Sequence, residues 1–278
     1  MFKQGRKKKQ DIRLLIACHK PCAVPEDEIY LPLHVGCEGK DPIGFTGDNT
    51  GDNISLQNPM FCELTGLYWA WKNLHCDVLG LVHYRRYFTL HPMMHHVEDE
   101  EGLKSVLSGS QVRFLMRRYK VIVPQKRYYV IESIDSHYRH TLDGRQLDET
   151  RAILSELHPE YLQSFDTVMA RRSAYMFNMF IAPKEMMDGY CQWLFSILFP
   201  LTERLGSEGM SAFEKRYPGR ISELLWNVYL EQLVRDGKLR SSEIHAVPYL
   251  YLGKIDWARK AKSFLAAKFL HKKYESSF

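Results

Sequence analysis

At 278 residues and 45% hydrophobic, the chain holds enough apolar material for one large core, or one core with a small appendage. No apolar stretch approaches the roughly 20 residues that span a bilayer, so no transmembrane helix is expected. The formal net charge of +5 is uneven: residues 1–13 and 254–278 carry +5 each, which leaves −5 between them, and basic ends on an acidic body suit an anionic membrane surface better than nucleic acid.

Taken in chain order, the basic start has no apolar signal-peptide run behind it, because residues 12–18 (IRLLIAC) read as a buried strand. That strand ends in His19-Lys20-Pro21, a polar turn at the kind of strand end where open α/β sheets bind ligands. Residues 32–59, rich in Gly, Pro, Asp and Asn, read as a long functional loop. Helical spacing follows at Leu64, Leu67, Tyr68 and Trp71 within residues 61–74, with Asn58-Pro59 as the start. Residues 77–83 and 119–123 read as buried strands, 146–157 and 159–171 as helices, and 175–181 as another strand. A helix from 184 to about 199 and a helical stripe over 222–236 complete the body. Strands alternating with helices predict an α/β fold, a mixed, mostly parallel sheet flanked by helices. No repeat or linker divides residues 1–253, which read as one domain, with 254–278 as a basic amphipathic helix. The six cysteines form no CxxC pair and read as buried thiols of a reducing cytosol.

Three blocks carry chemistry. In residues 46–58 (TGDNTGDNISLQN) the glycines permit a tight backbone, while Asp52, Asn53 and Asn58 offer partners for the hydroxyls of a ribose or hexose. An Asx-rich surface turn explains the same residues equally well. In residues 80–88 (GLVHYRRYF) His83, Arg85 and Arg86 follow a buried strand, where two guanidinium groups suit a diphosphate and the charge of a leaving nucleoside diphosphate. Pairing with carboxylates of the acidic body is the plainer alternative. Residues 176–181 (MFNMFI) are core by type, with Asn178 the conspicuous exception.

Together, residues 12–20, 52–73, 80–88, 178–195 and 219–230 resemble the capsular and exopolysaccharide glycosyltransferases long described only as a domain of unknown function, some of them galactofuranosyltransferases. The resemblance implies a GT-A-like nucleotide-binding sheet with the donor at the strand ends. It implies transfer of galactofuranose or galactose from a UDP-sugar to a lipid-linked or oligosaccharide acceptor of a bacterial capsule, O-antigen or exopolysaccharide. His19, Lys20, Asn53, Asn58, His83, Arg85 and Arg86 are then the donor-side candidates, and Asn178 and Trp69 the sugar or acceptor side. The Asp-x-Asp metal motif usual in that class is replaced by His83-Tyr84-Arg85. Metal-independent transfer without a cofactor is therefore expected, although a divalent ion held through Asp48 or Asp52 stays open.

An inverting transfer needs a carboxylate to take the acceptor's proton. Glu223 is the first candidate, read as lying in the first turn of a helix capped by Ser222 or a neighbour, where the helix end favours an ionised carboxylate. Asp52 is the second. A non-catalytic carbohydrate- or nucleotide-binding protein is the alternative function. The expected location is cytoplasmic, on the inner face of the membrane, attached through the apolar stripe Trp257, Ala261, Phe264, Leu265 and Phe269.

Overall fold

The structure is a computed structural model that describes residues 9–92, 96–98 and 100–253. The expected membrane helix at 255–274 lies outside the described residues. In chain order the elements are β1 (Ile12–Cys18), β2 (Tyr30–His34), β3 (Thr46–Gly47), α1 (Asn58–Phe61), α2 (Leu64–Asn73), β4 (Val78–His83), β5 (Arg86–Phe88) and β6 (His96–Val97). Then come α3 (Gly109–Met116), β7 (Val121–Pro124), β8 (Arg127–Tyr128), α4 (Ile134–Thr141), α5 (Arg145–Leu157), α6 (Leu162–Ala170), β9 (Ser173–Ala174) and β10 (Phe180–Pro183). The chain continues through α7 (Lys184–Leu205), α8 (Tyr217–Arg235), β11 (Ile244–Val247) and β12 (Tyr249–Leu252).

The main sheet runs β11-β7-β10-β4-β1-β2-β3, with β5, β6 and β12 joined at its side. Every pairing on that path is parallel except those of β10, which is antiparallel to β4 and β7. Period-2 alternation sends each central strand into two cores. Leu15 and Ala17 of β1 and Leu79 and Leu81 of β4 join one core beneath α2 and α5 to α8. Leu14, Ile16 and Cys18 with Val78 and Val82 join the other, beneath α3 and the antiparallel pair of β5 and β12. Gly80 lets the sheet close at its centre, since a Cβ there would lie 2.4 Å from Leu14 and 2.9 Å from the Phe180 carbonyl oxygen. Among the described residues no helix is long and apolar enough to cross a membrane.

Four expectations need correction. The loop read at 32–59 loses its start to β2, which tolerates Pro32 because β3 pairs only from Leu33 onward and leaves the outer side of Pro32 without a strand. The helix read at 61–74 is broken at Cys62, whose φ of 52° ends α1 and re-aims the chain into α2. The strand read at 175–181 begins only at Phe180, because Phe177 and Asn178 take left-handed φ values of 75° and 50°. The helix read from 222 starts five residues earlier, at Tyr217, with Pro218 in its first turn. Ser222 is therefore no cap: its one hydroxyl proton is shared between Asn178 Oδ1 at 2.9 Å and the Gly219 carbonyl at 2.8 Å.

Candidate active site

A cavity of about 290 Å³ opens beside the carboxyl end of β4. Its size falls at the lower edge of the range for small-molecule sites, roughly 300–1,000 Å³. Five stretches distant in sequence build it: Cys62 and Glu63 at the α1–α2 junction, His83 and Arg86 around the β4–β5 turn, and residues 127–142 around β8 and α4. Met176 and Phe177 come before β10, and Phe213, Arg216, Gly219, Arg220 and Glu223 come from α8 and its approach.

Two carboxylates face this space. Glu223, in the second turn of α8, has its pKa raised from an ordinary 4.5 to about 7, first by burial and then by the charge of Glu63. A backbone hydrogen bond from Phe177 and the charges of Arg86 and Arg127 pull the other way without overcoming burial. The expected position at a helix start is corrected: Glu223 lies inside α8 and beside a second acid, beyond the first turn where a helix end favours a carboxylate. Glu63 accepts a hydrogen bond from Asn178 Nδ2 at 2.7 Å, and the same nitrogen donates to the Gly219 carbonyl at 3.0 Å. Asn178, 2% exposed, therefore braces Glu63 against the start of α8 and does not line the cavity.

Cationic groups crowd the same end of the sheet. The Arg86 guanidinium lies 4.7 Å from the Phe177 ring and 5.4 Å from that of Tyr251. Arg216 donates to Cys62 Sγ at 3.0 Å, and Arg220 sits 4.2 Å over the Phe213 ring. At the end of β1, Lys20 and Arg85 flank the Tyr84 ring at 5.6 and 5.0 Å, and His19 meets its edge at 4.9 Å. Burial, then Lys20, Arg85, Arg216 and Lys40, hold the His19 pKa below its usual value. His19, Lys20 and Arg85 stand outside the cavity lining, although Arg216, which lines it, is among the charges acting on His19. His83, hydrogen-bonded to the Phe177 carbonyl, likewise has its pKa lowered by burial, against the opposing pull of Glu63.

Backbone strain concentrates at this cavity. The non-glycine residues with positive φ among those described are Cys62, Phe177 and Asn178. Two of them line the cavity and the third braces it, as happens where surrounding structure holds a site in an unfavourable geometry.

The other sequence candidates lie apart from the cavity lining. Asp52 accepts from the Tyr68 hydroxyl at 3.1 Å and pairs with Lys72 at 3.8 Å. Asn53 bonds within its own loop, Asn58 donates to the Cys62 carbonyl at 2.8 Å, and the Trp69 indole donates to Thr50 Oγ1 at 2.8 Å. The loop is organised instead by buried Asp48, which accepts from the Gly36 and Cys37 amides, Ser55 Oγ and Thr65 Oγ1. With four donors on its two oxygens, Asp48 is poorly placed to hold a divalent ion. The β4–β5 turn offers His83, Tyr84, Arg85 and Arg86, a set that repels a cation, so the metal usual for the GT-A class does not fit there.

Sequence reasoning missed Glu63, Arg127, His137, Arg216 and Arg220. The last two carried a usable signal: Arg216, Arg220 and Glu223 recur at helical spacing on one face. Glu63 carried none, because its exposure to the cavity depends on the Cys62 break.

Residues 13–235 match the family model described as "Domain of unknown function (DUF4422)". No curated protein matches the chain. Among solved structures it is similar to the apo structure of the WbbM bifunctional glycosyltransferase, at 31% identity and a TM-score of 0.82 over 88% of this chain and 46% of that one. The chain spans about half the length of that protein. The α/β sheet flanked by helices is therefore a glycosyltransferase fold, and the chain, matched over most of its length, belongs to the DUF4422 family.

Proposed function

We propose that the chain is a glycosyltransferase that moves a sugar from a nucleoside diphosphate to an acceptor hydroxyl in the cavity at the end of β4. The observation that carries this reading is Glu223, a carboxyl held near neutrality beside a second acid and a cationic wall. A module that only bound carbohydrate would have no use for a group poised to exchange a proton at neutral pH.

In the proposed step the acceptor oxygen attacks the anomeric carbon as the bond to the diphosphate oxygen breaks. The acceptor proton passes to the Glu223 carboxylate, and the bond electrons leave with the nucleoside diphosphate. Lys20, Arg85 and Arg86 meet that developing charge, the work that a divalent ion does elsewhere. The similarity to a bifunctional glycosyltransferase supports the reaction class. Uridine as the nucleoside, galactofuranose or galactose as the sugar, inversion, and a lipid-linked bacterial polysaccharide acceptor are proposed from family resemblance.

The test is thermal stabilisation by a panel of nucleoside diphosphates, followed by mass analysis of products from a panel of sugar nucleotides and acceptors. Stabilisation by one diphosphate and a glycosylated product support the reading. Diphosphate binding without product from any donor would leave only a binding protein.

A further inference from the structure

We propose that the short ribbon of β8 and β9, with the turn after β8, seats this chain on an anionic lipid bilayer. The proposal rests on exposure and charge, independently of the reaction read from the cavity.

Tyr128, Val130 and Ile131 are 72, 81 and 61% exposed, three large apolar side chains within four consecutive residues. Among the described residues the other exposed large hydrophobics, Leu56, Leu90, Phe114 and Leu157, stand singly in the sequence, as is ordinary on a protein surface. The ribbon tip is also held in place. Arg127 and Tyr128 pair with Ala174 and Ser173, the Tyr129 amide donates to the Arg172 carbonyl at 2.7 Å, and the Ile134 amide donates to the Arg171 carbonyl at 2.8 Å. Backbone bonds on both sides of the tip present the apolar side chains outward while Tyr129, between them, turns in to line the cavity.

Charge identifies the occupant. Lys126, Arg127 and Arg172 border the tip: Arg172 is exposed, Lys126 lies 4.9 Å over the Tyr175 ring, and Arg127, exposed on the ribbon, also lines the cavity, where its charge acts on Glu223. Of the neighbouring acids, Asp135 pairs with Arg139 at 2.9 Å and Glu231 with Arg171 at 2.7 Å, while Glu132 is hydrogen-bonded to the rings of His137 and His140 at 2.8 and 2.9 Å and keeps its negative charge. An apolar tip bordered by cations suits an acyl boundary beneath anionic headgroups. Because Arg127 and Tyr129 belong both to the ribbon and to the cavity wall, the seated chain holds its cavity beside the headgroups. A membrane-borne acceptor, if the glycosyltransferase reading holds, then reaches the site without leaving its bilayer.

The experiment uses the full chain with vesicles of equal parts phosphatidylglycerol and phosphatidylcholine at low salt, without donor or acceptor, so its outcome is separate from that of the catalytic reading. Sedimentation measures binding and hydrogen exchange locates it. The expected result is slowed exchange across residues 126–132 on anionic but not neutral vesicles. Val130→Ser with Ile131→Ser should weaken partition by about tenfold or more with an unchanged melting temperature, and Arg172→Glu should weaken it on anionic vesicles. Four results would overturn the proposal: no binding, protection confined to residues 254–278, full binding by the double variant, or protection of 126–132 without vesicles, which would indicate a second copy.

Discussion

Glu223 sets the behaviour expected of single residues. Only its carboxylate form accepts a proton, so with a pKa near 7 the rate should climb as pH rises through about 7. Interaction with Glu63 makes this a property of the pair. Glu223→Gln should lose that limb and about a hundredfold or more in turnover. Stability should move the opposite way. From an ordinary 4.5 up to about 7 the folded chain keeps a proton that the unfolded chain releases, so ionisation of Glu223 opposes folding increasingly with pH and levels off above 7. Glu223→Gln should therefore stabilise the fold by about 1–3 kcal/mol at pH 8 and by almost nothing below pH 4.5, read as melting temperatures. Equal melting temperatures at pH 8 would contradict that account of the site. The arginines should separate in a similar comparison. Arg85 is exposed, so Arg85→Ala should weaken nucleoside diphosphate binding about 10- to 100-fold at constant melting temperature. Arg86→Ala should add a loss of about 1 kcal/mol of stability, since its guanidinium also packs on Phe177 and Tyr251. Calorimetric binding with thermal melts distinguishes the two.

At the scale of elements, the glycine- and Asx-rich loop is a structural unit centred on Asp48. Asp48→Ala strands four donors and should cost about 2–5 kcal/mol of stability while the folded fraction binds nucleotide normally. A selective loss of nucleotide affinity at unchanged stability would return that loop to the site. The regular elements were legible because apolar runs and helical stripes are local: β1, β4, β7, α5 and α7 start within two residues of their readings. What failed was conformational. Pro32 disguised β2, since the chain's own pattern does not say that its outer side lacks a partner. Cys62 and Phe177 carry positive φ without being glycine or asparagine, so nothing in their residue types marks the turns that shape the cavity; Asn178 alone is of a type that favours it. Ser222 mimicked a helix cap because the true start, Tyr217-Pro218, offers no capping side chain.

For the whole molecule, the end of β4 named from sequence is where the cavity opens, but most of the cavity's lining was not legible. Arg86, His83 and Glu223 were named from sequence and line the cavity; Asp52, Asn53, Asn58 and Trp69 were named on the same grounds and serve the α2 side of the fold. The difference lies in long-range geometry: Glu63 and Glu223 meet across 160 positions of sequence through a brace at Asn178. The most direct test of the central claim is release of nucleoside diphosphate from a panel of sugar nucleotides, followed for the native chain and for Glu223→Gln in parallel. The account predicts release from at least one donor by the native chain, rising with pH through about 7, and a loss of about a hundredfold or more in the variant. Release that is equal in both proteins, or absent with every donor and acceptor, would contradict it.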